Sequence, residues 1–176
     1  MRELFAGWFD YYAERASDRL DGLTDEEYLW EPAPNSWSVR AQGDTYVIDW
    51  AWPDPDPAPI TTIGWRLVHI CSVLREHGLR PVAFENGKAN HVEPSEVPAT
   101  AADAMALFAR AIASWKHDLD SVSEDRLLET LGPEADAFAD EPVVAFVEHI
   151  HDEFIHHTAE ISLLRDLYRA RTHPHG

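Results

Sequence analysis

"HIHDEFIHHTAEISLLRDLY", residues 149–168, decides how this chain folds. Its first twelve residues carry four histidines and three carboxylates, and its remainder turns leucine-rich without a glycine or proline to break it. Helical spacing is about 100° per residue, which sets Asp152, Glu153, His156 and Glu160 within about 60° of His149. Leu163, Leu164 and Leu167 continue the same stripe. A stripe that ends in leucines predicts the inward face of a packed helix, with His149, Asp152, Glu153 and His156 turned to the interior. His151, Thr158, Ser162, Arg165 and Arg169 then fall on the solvated side, and His157 on the margin beside a second apolar stripe of Ile150, Phe154, Ile161 and Tyr168. Buried ionisable groups cost several kcal/mol unless paired, hydrogen-bonded or metal-bound, so an inward cluster of them requires partners.

Upstream segments supply the partners. Pro142 suits the first turn of this last helix, which runs to about Tyr168. Apolar residues from Leu4 to Leu20 recur at helical spacing. "ITTIGWRLVHICSVLREHG", residues 60–78, predicts a helix ending at Gly78, and Thr100, with Asp103 three residues on, starts another that reaches about Leu119. Short helices are expected at Thr24–Leu29 and Ser123–Thr130. Four long helices with few strand signals predict an all-α, antiparallel four-helix bundle in a single domain, 1–176. Within "QGDTYVIDWAWPDPDPAP", residues 42–59, the alternation in "TYVIDWAW" predicts a short hairpin arm or extended flap between the first two long helices. Residues 79–99 form a second long connection.

Composition narrows the function. A net charge of −18 repels phosphate backbones, so a nucleic-acid partner is not expected. No stretch is long and apolar enough to span a bilayer and the N-terminus lacks a signal peptide's apolar core, so the expected location is the cytoplasm. The lone Cys71 forms no intrachain disulfide or thiolate cluster and reads as a buried, inert thiol. No G-x-S-x-G elbow and no glycine-rich phosphate loop occurs.

His69, on the second long helix, faces the cluster across the interior. One histidine there and an i, i+4 pair on the last helix make a three-ligand site, which leaves positions for water or substrate. A hydrogen-bonded polar network without metal is the other reading of the same residues. Arg66, one turn before His69, either meets an anionic substrate or pairs helices.

The chain resembles the DinB-like superfamily, which includes the bacillithiol- and mycothiol-dependent transferases. "NSWSVR", "WRLVHI" and the closing "HDEFIHHTAEISLLRDLYR" carry the resemblance, which covers nearly the whole chain. It implies a four-helix bundle of up-down-down-up order, often dimeric. It also implies a metal triad formed by a helix-2 histidine and a pair within H-E-x-x-H-[HR]-G. Matched to that pattern, the ligands are His69, Asp152 and His156, with aspartate at the first histidine position and Thr158 at the glycine. A two-histidine, one-carboxylate set suits zinc, nickel, manganese or iron. Glu153 and His149 then serve as general base or orienting groups. The implied activity is that of a metal-dependent transferase or hydrolase acting on a small molecule, with a low-molecular-weight thiol as cosubstrate. The alternative is a non-catalytic dimeric bundle with a vestigial polar pocket that binds a small ligand.

Overall fold

The computed structural model describes residues 1–53, 55–84 and 97–172. Part of the 79–99 connection and the end of the "RTHPHG" tail lie outside the described residues. The chain is mostly helical. Its long helices are α1 (Arg2–Leu20), α3 (Ile63–Glu76), α5 (Ala101–Ser121) and α7 (Val143–Thr172), joined by the short α2 (Asp25–Leu29), α4 (Arg80–Ala83) and α6 (Glu124–Leu128). A 3-10 turn at Pro133–Phe138 precedes α7.

Local chemistry sets the boundaries. At α2, Thr24 accepts from the Glu27 backbone N–H while the Glu27 carboxylate takes the Thr24 N–H, a reciprocal cap. Thr62 caps α3 by accepting from Trp65 N, so this helix starts at Ile63 rather than at residue 60. Thr100 does the same for α5 through Asp103 N.

The arm is a hairpin, as the alternation suggested. β1 (Val39–Gln42) and β2 (Thr45–Ile48) pair antiparallel, with Val39 opposite Ile48 and Gln42 opposite Thr45. Gly43 takes φ +61° in the two-residue turn, a conformation that disfavours a side chain. Arg40 holds the hairpin to its surroundings, donating from Nε to Asp49 Oδ2 (2.9 Å) and from Nη1 to Glu31 Oε1 (2.6 Å). The first strand lies in "VRAQ", where the sequence gives no clear alternation.

α1 packs on α5 and α7, α3 packs on α5 and α7, and α5 meets α7 through the stacked rings of Phe108 and Phe154. Phe9, Leu67, Ile70, Leu74, Phe108, Trp115, Ile150 and Phe154 fill the space between them. Among the described residues, the pairs Arg80–Asp118 and Arg165–Glu27 are buried with this core. Arg80 donates to Asp118 at 2.5 Å and also to the Leu74 and Arg75 carbonyls, and Arg165 grips Glu27 through two hydrogen bonds of 3.0 and 3.1 Å. Burial works to raise the Glu27 pKa, but the Arg165 hydrogen bonds and the Thr24 N–H outweigh it and hold the carboxyl below its ordinary value.

The face of α7 that meets the core corrects the expected one. Leu163 and Leu167 are 59% and 47% exposed, and His149, Asp152 and His156 share their exposed side. The core stripe is the second one, Ile150, Phe154 and Ile161, with His151, Thr158 and Arg165 buried beside it. Those three polar residues looked solvated because their accommodation is invisible in the sequence. Thr158 donates to the Phe154 carbonyl at 2.7 Å and Arg165 finds Glu27, while His151 stacks on Phe9 with ring centroids 5.3 Å apart. The rotation amounts to about one residue, or about 100°.

Candidate metal centre

Turning α7 by one residue changes which side chains meet α3. His69, Glu153 and His157 come together, each offering one ligand atom, all within 4.8 Å of one another. Glu153 Oε2 lies 3.6 Å from His69 Nε2 and 3.2 Å from His157 Nε2. The two imidazoles meet edge to face, with centroids 4.7 Å apart at 86°. All three residues are half-buried, open enough for a small ligand to reach them.

His69 is placed from both sides. The Trp65 indole, one turn before it, stacks on its ring at 5.1 Å and 15°. Trp65 in turn donates from Nε1 to the Asp49 carbonyl (2.8 Å), which ties the hairpin arm to α3 beside the site. Burial, and then the neighbouring His157, hold the His69 pKa below its ordinary value, with Glu153 opposing them. A neutral imidazole with a free lone pair is the state that a metal ligand requires.

On the outer side of His157, Nδ1 lies 3.0 Å from Glu160 Oε2 and 3.0 Å from Arg66 Nη1. Arg66 also donates to Glu160, so of its two expected roles the structure displays helix pairing, α3 to α7. Desolvation lowers the Arg66 pKa against the pull of Glu160.

The remaining expected site residues stand elsewhere. Asp152 is exposed and outside the group. His156 is 59% exposed, 3.3 Å from Glu160 Oε1 and stacked on His157. His149 is exposed and lies two helical turns from His157, in ring contact with His77 at 5.7 Å. Of the expected residues the structure therefore brings together His69 and Glu153, and adds His157 in place of Asp152 and His156. The i, i+4 spacing persists with its register moved one residue.

Sequence reasoning missed His157 as a member of the group and His77 altogether. The signal for His157 was present: it fills the gap in the stripe Ile150, Phe154, Ile161 at helical spacing. His77, just past the end of α3, packs on Phe146 and His149, and burial followed by His149 lowers its pKa. Its Nδ1 accepts the Leu79 N–H at 3.2 Å.

In kind, the donors fit a divalent ion: two imidazoles and one carboxylate, a three-ligand set. Among the described residues no helix is long and apolar enough to cross a membrane. No curated protein and no solved structure matches the chain. The model of one family, the DinB superfamily, matches residues 9–161, a span that takes in α3, the hairpin arm and the ligand-bearing part of α7. The chain belongs to the DinB superfamily.

Proposed function

We propose that this chain is a metal-dependent enzyme acting on a small molecule, a thiol-dependent transferase or a hydrolase, with a divalent ion held between α3 and α7. The observation that carries the reading is the convergence of His69, Glu153 and His157 from two helices at a half-buried position. In this reading His69, Glu153 and His157 are the ligands. A bound zinc, nickel, manganese or iron ion supplies Lewis-acid activation of a water or thiol, making a nucleophile near neutral pH. Trp65 fixes the His69 ring. The reading takes the four long helices as a bundle of up-down-down-up order, supported by the pairings of α1 and α3 with α5 and α7.

A second reading has its own support. A groove of about 520 Å³ runs between α1 and α7, lined by Tyr12, Arg15, Arg19, Ile155, Leu163 and Asp166 among others, with no histidine in its lining. Leu4, Trp8 and Tyr11 add exposed apolar surface on α1. These features suit a non-catalytic homodimer or ligand binder.

Elemental analysis separates the two. Protein purified without nickel chromatography and lacking the "RTHPHG" tail, residues 171–176, is expected to carry stoichiometric metal that His69→Ala and His157→Ala abolish. Folded protein that neither retains nor takes up metal favours the binder.

A further inference from the structure

The His157 ring is engaged on both edges. Nε2 faces Glu153 Oε2 at 3.2 Å, and Nδ1 faces Glu160 Oε2 at 3.0 Å. Glu160 is itself clasped by Arg66, which reaches across from α3. A guanidinium has no acceptor, so Arg66 Nη1 must donate, and the carboxylate oxygen must accept. Arg66 Nη1 and His157 Nδ1 thus converge on one oxygen, while lying 3.0 Å from each other.

The two neutral tautomers of His157 divide these contacts, since a ring nitrogen without a proton cannot donate to a carboxylate and one with a proton cannot accept from Arg66. With the proton on Nε2, His157 donates to Glu153 and accepts from Arg66 at Nδ1. With the proton on Nδ1, it donates to Glu160 and leaves a lone pair on Nε2. Only the second is compatible with ligation through Nε2, the edge that faces Glu153 and His69. It needs an acceptor at Nδ1, and Glu160 is that acceptor.

We propose that Glu160, braced by Arg66, is a positioning residue of the metal centre: it takes the Nδ1 hydrogen of His157 and so presents the Nε2 lone pair to a divalent cation. The proposal rests on the metal-centre reading above. It also gives the adjacent histidines of "HH" different tasks. His157 ligates, whereas exposed His156 reaches the other oxygen of Glu160, 3.3 Å from Oε1. Carboxylates behind ligating imidazoles fix the tautomer and ring orientation, and their loss costs about 10–100-fold in metal affinity.

The competing explanation is a plain ion pair that fastens α3 to α7. Titration of metal-free, tail-trimmed protein with Co²⁺, followed by its visible ligand-field bands, distinguishes the two. Glu160→Gln preserves length and removes charge. It is expected to bind Co²⁺ about 10–100-fold more weakly than the unaltered chain, with shifted bands. Arg66→Met moves both readouts in the same direction, and Glu160→Asp, which keeps the charge but draws it back, retains part of the affinity. If Glu160→Gln fails to fold, the Glu160→Asp and Arg66→Met comparisons carry the test. Unchanged affinity and bands in a variant that merely melts earlier overturn the positioning role, while loss of the bands in His157→Ala keeps the metal centre. Absence of Co²⁺ binding by the unaltered chain removes both proposals together.

Discussion

Glu153 and His157, four residues apart on α7, hold Oε2 and Nε2 at 3.2 Å, and His69 of α3 approaches the same carboxylate oxygen at 3.6 Å. Residues four apart are neighbours on a helix, so one helix supplies two donors and a second closes the set.

The register of that pair is directly testable. His157→Ala and Glu153→Ala are expected to abolish stoichiometric metal, whereas Asp152→Asn and His156→Ala retain it. Elemental analysis of the four variants, each checked for helicity by circular dichroism, gives the answer. Metal loss confined to the Asp152 and His156 variants would return the ligand role to the pair that the family pattern first indicates.

His151 predicts an acid-sensitive stability. Burial among the rings of Phe5, Phe9 and Trp115 holds its pKa at about 4, against an ordinary 6.5, and its Nε2 finds no hydrogen-bond partner among the described residues. The unfolded chain therefore takes up this proton first as pH falls. The stabilisation is complete above 6.5, declines as pH drops toward 4, and sums to on the order of 3 kcal/mol. Urea unfolding of metal-free protein from pH 7 to 4 measures that slope. In His151→Leu the slope should flatten, with no loss of stability at pH 7.

Breaking the Arg80–Asp118 pair should be costly. The two side chains are 1% and 0% exposed, so Asp118→Ala leaves a guanidinium charge buried beside the Leu74 and Arg75 carbonyls. A loss of about 3–5 kcal/mol in urea unfolding is expected. A loss below about 1 kcal/mol would show that water reaches Arg80 once the carboxylate is gone.

Gly64 opens the first turn of α3 against Tyr28. A Cβ added there would stand 3.0 Å from Tyr28 Cζ and 3.1 Å from the Tyr28 carbonyl oxygen. Alanine normally gains about 0.5–1 kcal/mol over glycine inside a helix. At this position overpacking should reverse the sign, for a net loss of about 1–3 kcal/mol. Thermal unfolding of Gly64→Ala measures it, and a rise in melting temperature would mean that Tyr28 swings aside.

How much of this was legible in the sequence depends on the kind of interaction. Helix limits at Thr24 and Thr100 follow from hydroxyls that cap nearby backbone N–H groups, so local chemistry reveals them, whereas α3 starts at Ile63, three residues after the expected 60. His69 and Glu153 were also visible, as ligand-type residues on facing helices. The rotation of α7 was not. It depends on Glu27, 138 residues away, burying the Arg165 guanidinium, and on three aromatic rings sheltering His151. A hydropathy stripe counts both residues as polar and assigns them to water, which displaced the inferred face by one position. The first strand of the hairpin escaped for a similar reason: pairing with "TYVI" makes it a strand, and its own residues say little.

The indole of Trp65 lies flat on His69 while its N–H is fastened to Asp49 at the end of the hairpin. Any molecule that shifts the arm on docking must therefore pull on the imidazole as well. Movement of the arm and the setting of the His69 ring are thereby joined through one tryptophan.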